Sequence, residues 1–364
     1  MENQLLFVNK EQTEFYSVLR KRVNSYFKQK GISHYANAFM VFKIIFFLSG
    51  LIGAYAVLIW ANLSWPLSLL MWVIVGFFTA FTGVNVCHDA IHGAVSRNKT
   101  VNTMLGYLLN VVGANAYLWN ISHNLQHHAY TNISGYDGDL DSVPIVRLHP
   151  RMKLLKISRF QHIYTFIFYG FSTLIWVFYK DYRGFFKTQF GKGIRKKHPI
   201  RELLIMILFK IIYYSLFLLL PLVLIDLAWW QILLGFGLMH FVEGVTLTII
   251  IQLSHLVERS EFPSPDEEGK MENAWAVHQM KVTADYARNS WLVRFFFGGL
   301  NFHIEHHLFQ RICHIHHKPI SKIVQQTALE YGIPYREFPT LGAALLSHQR
   351  FLKRMGRRDL EAAH

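Results

Sequence analysis

The chain has 364 residues, of which 52% are hydrophobic and only 16% are charged, and its formal net charge is +14. This composition is too apolar for an ordinary soluble domain and is typical of a polytopic membrane protein. The two cysteines, Cys87 and Cys313, form neither a disulfide framework nor a CxxC ligand pair, so any metal site must be rich in nitrogen ligands. The basic residues flank apolar runs, which favours lipid headgroups over nucleic acid as their partners.

The predicted elements begin with a polar segment, residues 1–40, that lacks the features of a signal peptide. Candidate membrane spans follow in five apolar runs: residues 41–61, 65–86, 162–179, 203–225 and 229–253. A helix needs about 20 residues to cross the hydrocarbon core, and all but the third run satisfy this comfortably. A further run, residues 104–118, is interrupted by glycine and asparagine and predicts an interfacial or re-entrant helix.

Eight histidines occur in three short motifs beside the apolar runs. They are His88 and His92 in HDAIH, His123, His127 and His128 in HNLQHH, and His303, His306 and His307 in HIEHH. Neutral imidazole is the commonest metal ligand. Helix positions three or four apart share a face, whereas adjacent positions diverge by about 100°. The two HH doublets can therefore each address two metals, and since one tetrahedral zinc needs only four ligands, a dinuclear site is predicted.

A shared site also constrains the topology, because an even number of spans must separate each pair of motifs. No span can then lie between residues 92 and 123, and two must lie between 128 and 303. Runs 203–225 and 229–253 supply these two, so we expect run 162–179 to lie along the interface. The linkers at residues 62–64 and 226–228 contain no Lys or Arg, which predicts that the motifs and both termini face the cytoplasm.

The predicted fold is all-α and integral to the membrane. Four transmembrane helices form two hairpins, and with interfacial helices they are capped by a cytosolic helical domain that carries the histidine-rich dimetal site. The expected single domain, residues 1–364, divides into a cytosolic segment (1–40), a first hairpin (41–86), a cytosolic part with the first two motifs (87–200), a second hairpin (201–253) and a cytosolic part with the third motif (254–364). A bacterial inner membrane or the endoplasmic reticulum would suit this topology.

The expected chemistry favours iron over other metals. Zinc has no redox chemistry, and the HExxH motif of zinc proteases is absent. Copper fits imidazole ligands, but apolar runs that lead to the site suit a hydrocarbon substrate. Oxidation of its unactivated C–H bonds requires a redox metal that activates dioxygen, usually non-haem iron. Haem is disfavoured because the motifs lie at or beyond the ends of the spans.

The three histidine motifs resemble those of a known family of membrane enzymes. The three histidine boxes of the membrane fatty acid desaturases resemble HDAIHG, HNLQHHAYTN and NFHIEHHLF of this chain. Fatty acid hydroxylases share this general pattern. The resemblance extends over residues 85–321. GYDGDLD and GGLNFHIEHHLFQRICHIHH resemble bacterial acyl-lipid or acyl-CoA desaturases related to the front-end group, which insert a double bond between an existing one and the carboxyl end. Front-end enzymes typically carry Gln where this chain has His303, and no HPGG haem motif is present.

The resemblance implies an oxidoreductase that uses two non-haem irons and O2 to desaturate a long-chain acyl group beside membrane lipid. It also implies an external electron donor, a ferredoxin or a b-type cytochrome, for which the basic segments 195–198 and 311–318 are expected docking sites. QLSH supplies a ninth expected metal ligand, His255, and a possible water-mediated contact, Gln252. Carboxylates that accept hydrogen bonds from ligand imidazoles are also expected. The preferred candidates are Asp89 and Glu305, ahead of Asp137, Asp139, Asp141 and Glu258.

Two alternative functions remain open on the sequence. A fatty acyl or lipid hydroxylase would use the same scaffold. A metal transporter would place its ligands near mid-membrane, where only His240 and Glu243 lie. A further cluster, His314, His316 and His317, is predicted to face solvent or lipid headgroups rather than the site.

Overall fold

The computed structural model describes residues 5–9, 12–140, 145–192 and 194–357, and most of them are helical. The helices are α1 (Thr13–Lys30), α2 (Ala38–Trp60), α3 (Trp65–Ile91), α4 (Lys99–Val111), α5 (Ala116–Trp119), α6 (His128–Tyr130), α7 (Lys156–Tyr169), α8 (Ser172–Phe185), α9 (Ile200–Leu224), α10 (Trp229–His255), α11 (Trp275–Val282), α12 (Trp291–Phe296), α13 (His303–Leu308), α14 (His317–Glu330) and α15 (Leu341–Met355). π-Helical turns occupy Gly83–Cys87, Asn120–His127, Trp176–Lys180 and Ser215–Leu219, and a 3-10 turn spans His314–His316.

Short strands form three two-stranded ribbons. The strands are β1 (Leu6–Phe7), β2 (Gln189–Phe190), β3 (Ile194–Arg195), β4 (Lys270–Met271), β5 (Asp285–Tyr286) and β6 (Glu337–Phe338). β1 pairs with β4 and β5 with β6 in parallel, whereas β2 and β3 are antiparallel. The parallel ribbons join distant parts of the chain, so each ties a terminal segment to the region around the third motif.

Four helices, α2, α3, α9 and α10, are long and apolar enough to cross a membrane. Large apolar side chains such as Ile52, Leu204 and Val223 are more than 60% exposed. An apolar helix that leaves such side chains uncovered suits lipid as its solvent. The all-α fold with four candidate spans is therefore confirmed, with helix ends within a few residues of the prediction, except that α3 continues through the first motif to Ile91.

The run predicted at residues 162–179 is a bent pair of helices, α7 and α8. The two helices meet at an angle of 66°, and they would count as a fifth span only if the bent pair crosses as one unit. The predicted helix at residues 104–118 is also divided. α4 ends at Val111, and Asn115 caps the short α5 by accepting a hydrogen bond from the Leu118 backbone N–H.

The two hairpins pack through a close contact between α3 and α10. A Cβ at Gly76 would lie 2.5 Å from the backbone oxygen of Met239, so only glycine allows the helices to approach this closely. Trp72, Tyr213 and Phe236 fill the surrounding apolar core. This contact fixes the ends of both spans, where the first motif and His255 lie, relative to each other.

A second core lies beneath the histidine-bearing ends of the spans. Phe15, Leu19 and Val23 of α1 recur every four residues and form one buried stripe. The stripe packs on Met280 of α11 and Ile304 of α13. The third motif is therefore held between the N-terminal helix and the spans.

Candidate metal centre

The structure brings all three motifs and His255 together, although they come from separate parts of the chain. His88 lies in the last turns of α3, and His255 is the last residue of α10. The second motif lies in a π-helical turn, Asn120–His127, except for His128, which begins α6, and the third forms α13. π-Turns are frequent at functional sites because the extra residue changes which side chains share a face. The nine predicted histidines are all buried.

The first group of converging ligand atoms, here named the His303 group, comprises His127, His255, His303 and His307. One ligand atom from each lies within 4.8 Å of the others. The Nε2 atom of His255 lies 2.8 Å from that of His303 and 3.2 Å from that of His127. The Nε2 atom of His307 is buried without a hydrogen-bond partner among the described residues.

Every imidazole of the His303 group is anchored through its other nitrogen. The Nδ1–H groups of His255 and His303 donate to the backbone oxygens of Val282 (3.4 Å) and Leu300 (3.1 Å). In the same way, His127 donates to Asp137 and His307 to the Gln279 Oε1 atom, at 3.1 and 2.8 Å. These bonds place the hydrogen on Nδ1, so four Nε2 lone pairs face one another. Such an arrangement is repulsive unless a cation lies between them, and it fits a metal ion.

The second group, named the His92 group, comprises His88, His92, His123 and His306, again with ligand atoms within 4.8 Å of one another. His128 joins it, because its Nε2 atom lies 3.1 Å from the Nε2 atoms of both His123 and His306. The His128 ring centroid is also only 4.3 Å from that of His307. His128 therefore lies where the two groups meet.

Burial keeps most of these imidazoles neutral, the form that binds a metal. Desolvation, followed by the neighbouring imidazoles, holds the pKa well below its usual value in His92, His123, His128, His303, His306 and His307. His127 differs from these six. Burial lowers its pKa, but the adjacent Asp137 carboxylate outweighs this effect, so the net pKa of His127 is raised.

Asp89, one of the two preferred carboxylates, lies 3.6 Å from the Nδ1 atom of His88. Its Oδ2 atom accepts hydrogen bonds of 2.9 Å from both the backbone N–H and the Nδ1–H of His314. The Nε2 atom of His314 in turn accepts a 2.7 Å hydrogen bond from the Lys43 ammonium on α2. A buried chain of polar contacts therefore runs from His88 to the first span.

The prediction that His314, His316 and His317 face solvent or headgroups is wrong. All three are buried, with exposures of 1%, 6% and 1%. His316 and His317 bond to the backbone oxygens of Tyr35 and Ile312. The reason is that the segment after α13 folds back between α2 and the site, as shown by the hydrogen bond from the Cys313 N–H to the His34 oxygen.

The other predicted carboxylates have varied surroundings. Glu305 is fully buried, but its Oε1 atom accepts from Tyr335, whose hydroxyl also lies 2.6 Å from Asp285. Desolvation, then the Asp285 carboxylate, raises the Glu305 pKa well above its usual value. Asp139 lies 3.7 Å from the His127 Nδ1 atom. Glu258 is on the surface, 3.8 Å from Arg350, and Asp141 lies outside the described residues.

Gln252 lies at an apolar cavity of about 210 Å³ that reaches the His92 group. Its lining also includes Trp119, His123 and Asp139, together with Phe168 and Trp176 of α7 and α8 and Leu247 and Ile251 of α10. The Trp119 ring stacks on His123 with centroids 4.2 Å apart. A narrow apolar space thus leads directly to the converging imidazoles.

His240 and Glu243, which a transporter would use as mid-membrane ligands, contact each other and neighbouring protein groups. His240 lies 3.4 Å from Glu243, and it also bonds to Tyr213 and Thr173. Neither residue belongs to a group of three or more ligand-type side chains in the described part of the chain. The apolar helices and the converging imidazoles instead indicate a helical protein with four candidate membrane spans and a histidine-rich site that could hold metal ions.

Comparison with known proteins identifies the family. The model of the family "Fatty acid desaturase" matches residues 63–339. The chain is 33% identical to the sn-1 linoleoyl-lipid 6-desaturase of Synechocystis sp. over 349 aligned residues. These residues cover 94% of this chain and 96% of the relative. It is 32% identical to an acyl-lipid (8-3)-desaturase of Physcomitrium patens, over 97% of this chain and 74% of the relative. The chain belongs to the fatty acid desaturase family and is an oxidoreductase.

Proposed function

We propose that this protein is a di-iron, O2-dependent desaturase that introduces a double bond into a long-chain fatty acyl group carried on CoA or on a lipid. The observation that carries the proposal is the convergence of two groups of buried imidazoles, one of them anchored throughout at Nδ1. The proposed ligands are the four members of the His303 group, the four members of the His92 group and His128. Nine nitrogens exceed what one metal ion can take, which supports two ions.

The proposed reaction converts a CH2–CH2 unit to CH=CH. Dioxygen accepts the two hydrogens together with two external electrons and two protons, and leaves as two water molecules. Iron bound at these imidazoles would supply the redox chemistry that attack on an unactivated C–H bond requires. The carboxylate of Asp137 and the amide of Gln279 hold His127 and His307 in the tautomer that presents Nε2.

The apolar cavity beside the His92 group is the proposed site of the acyl chain. Its lining of Trp119, Phe168, Leu247 and Ile251 suits a hydrocarbon and excludes bulk water from the reacting carbons. The curated relatives named above are desaturases whose names specify lipid-borne acyl groups. A lipid-borne substrate also fits the four apolar helices, because an acyl chain in the bilayer would lie beside them.

The two electrons are proposed to come from a separate ferredoxin or b-type cytochrome. The sequence shows neither a CxxC ligand pair nor an HPGG haem motif. In the basic segments 195–198 and 311–318, the exposed side chains of Arg195, Lys197, Arg311 and Lys318 offer a landing surface to an acidic carrier on the side that bears the histidines. By the positive-inside rule, we propose that this side, with both termini, faces the cytoplasm of a multi-pass protein.

A metal analysis combined with product analysis tests the proposal. The purified full chain should contain two irons, and cells that express it should accumulate a new unsaturated acyl product, seen by mass spectrometry. Alanine at each of the proposed ligands should abolish the product while the protein still inserts into membranes. A suitable matched control is His162→Ala on α7, because this imidazole is partly exposed and belongs to neither group.

Different outcomes would contradict different parts of the proposal. Zinc or no bound metal would exclude the iron centre, and full activity in two or more ligand variants would exclude the dinuclear ligand set. A product heavier by one oxygen atom would identify a hydroxylase on the same scaffold. Charge reversal at Arg195, Lys196 and Lys197 should slow turnover with the protein donor and leave turnover with a small chemical reductant unchanged.

A further inference from the structure

A second opening, lined by different residues from the apolar cavity, reaches His92. It is an open groove of about 640 Å³, here named the basic groove. Tyr35 at its edge precedes α2, Ile91 ends α3, and Glu202 lies in the first turn of α9. Three candidate spans therefore begin or end around the groove. This position corresponds to the headgroup level of a bilayer, where lipid phosphates lie.

The charges along the groove are mostly positive. Arg97, Lys99 and Arg311 line it together with one acid, Glu202, so the formal sum of these four is +2. All three basic side chains are exposed, and none forms an ion pair with a carboxylate of a described residue. Three unpaired cations in one concave surface suit a phosphate, because guanidinium and ammonium groups bind it by charge-assisted hydrogen bonds.

The inner end of the groove is formed by the site itself. His92 lines the groove, whereas His123 lines the apolar cavity. The two rings belong to the same group, and their centroids are 5.3 Å apart. Trp119 stands between the openings, since its ring contacts both His123 and His92. A polar, basic opening and an apolar one therefore meet at one set of imidazoles.

We propose that the basic groove binds the phosphate of the acyl carrier through Arg97, Lys99 and Arg311, so that the acyl chain passes Trp119 and enters the apolar cavity. The proposal rests on the desaturase function proposed above and adds the chemical class of the carrier. The phosphate can belong to a phospholipid or to CoA. In both cases the carboxyl end of the acyl chain would lie on the groove side of Trp119, next to His92.

The test compares three substrates with one acyl chain: a lysophospholipid, the acyl-CoA and an uncharged monoacylglycerol. The variant combines Arg97→Gln, Lys99→Gln and Arg311→Gln. The matched control combines Arg20→Gln, Lys21→Gln and Lys28→Gln. It also removes three positive charges, but from exposed positions on α1. Turnover is driven by a small chemical reductant, so that docking of a protein donor does not enter the measurement.

We expect the groove variant to raise KM at least about tenfold for a phosphate-bearing substrate, with kcat within a factor of two. KM for the monoacylglycerol should not change, and the control should match the unmodified protein throughout. A rise confined to the lysophospholipid or to the acyl-CoA identifies the carrier. Unchanged KM for both would overturn the proposal, as would an equal rise for the uncharged substrate.

Two further measurements distinguish the phosphate site from a docking surface for the electron donor and from a failure of the proposed desaturase function. If turnover falls only with a protein donor, the groove is a docking surface for that donor and the phosphate proposal fails. If the unmodified protein desaturates none of the substrates, binding of the lysophospholipid and the monoacylglycerol is measured directly. Weaker binding of the lysophospholipid alone by the groove variant would then support the phosphate site although the proposed function had failed, and unchanged binding would exclude it.

Discussion

The Nδ1–H group of His314 lies 2.9 Å from the Oδ2 atom of Asp89, and the opposite nitrogen of the same ring accepts from Lys43 at 2.7 Å. His314 is therefore a neutral bridge between a buried carboxylate and a buried ammonium. Burial lowers the His314 pKa to about 4, and Lys43 lowers it as well, whereas Asp89 raises it. The bridge holds Asp89 beside His88, one of the proposed ligands.

Removal of this bridge should weaken metal binding without altering the ligand set. We predict that His314→Ala lowers metal affinity by up to about 10-fold, because His314 acts on His88 only through Asp89, whereas removing a direct partner of a ligand costs about 10-fold to 100-fold. The measurement is metal content of the purified protein during titration with a chelator. His316→Ala is the matched control, since His316 is also buried but bonds to the Tyr35 oxygen. Equal metal retention in both variants would show that the bridge is only structural.

The contact of Asp137 with His127 supports a similar prediction for the His303 group. Asp137→Asn keeps the shape but removes the charge that raises the His127 pKa, so His127 becomes a weaker base. We expect metal affinity to fall about tenfold or more, measured by the same chelator titration. Asp139→Asn should have a smaller effect, because Asp139 is farther from His127 and partly exposed. A larger effect at Asp139 would contradict this ranking.

Much of this arrangement could be predicted from the sequence, because its signals are local. Apolar runs of about 20 residues indicate spans, and histidines at helical spacing indicate ligands whether or not the fold is known. A shared site then required an even number of spans between the motifs, so that all of them lie on one side of the membrane. The structure does bring the motifs together. His255 was expected only through the family resemblance, since a single histidine at a helix end carries no pattern of its own.

The partners of the histidines could not be predicted in the same way. Lys43 and His314 are 271 residues apart, and Asp89 and His314 are 225 apart. Gln279, which anchors His307, belongs to no motif. Such contacts depend on how the helices pack, and in a segment rich in His, Arg and Lys the composition alone predicts exposure. The clustering of His314, His316 and His317 directly after the third motif was the one available signal that this segment is buried.

Four buried histidines outside the proposed ligand set make stability depend on pH. Burial lowers the pKa of His278, His314, His317 and His348 to about 4, against about 6.5 in an unfolded chain. Between these values the unfolded state binds protons that the folded state excludes, so stability is lost as the pH falls from 6.5 to 4. Each residue can contribute up to about 3 kcal/mol to this loss.

Thermal unfolding in detergent at several pH values checks this prediction. One substitution measures the contribution of a single histidine to the pH dependence. His348→Gln, on α15, should be less stable at pH 7 because it loses bonds to Tyr169 and the Leu256 oxygen. Its stability should nevertheless fall less steeply between pH 6.5 and 4, since one titrating group is gone. An unchanged slope would mean that His348 does not titrate in this window.

A buried ion pair between α8 and α9 yields a prediction about stability alone. The Lys210 ammonium lies 2.8 Å from Asp181 and also donates to the Gly113 and Val177 oxygens. Lys210→Met leaves a buried carboxylate unpaired, which costs about 3–5 kcal/mol. The double variant with Asp181→Leu should recover part of this loss. Lys187→Met, at an exposed position after α8, is the control in thermal unfolding, and equal loss in the single and double variants would exclude a pairwise effect.

The orientation of the chain can be tested at four sites. Single cysteines at Ser64 and Asp226 lie in the turns of the two hairpins, whereas Ser134 and Pro265 lie near the histidine-bearing ends of the spans. If α7 and α8 do not cross together, a membrane-impermeant thiol reagent should label the first pair from one side only and the second pair from the other. Both native cysteines are buried, so background labelling should be low.

The result at Pro265 relative to Ser134 decides the role of the bent pair. The segment between them contains α9 and α10 and also the 66° bend between α7 and α8. Two crossings return the chain to the same side, whereas three would place Pro265 opposite Ser134. Opposite labelling would therefore establish a fifth span and would separate the second histidine motif from the third. Since one metal site cannot draw ligands from both faces of a bilayer about 30 Å thick, that outcome would also contradict the proposed shared centre.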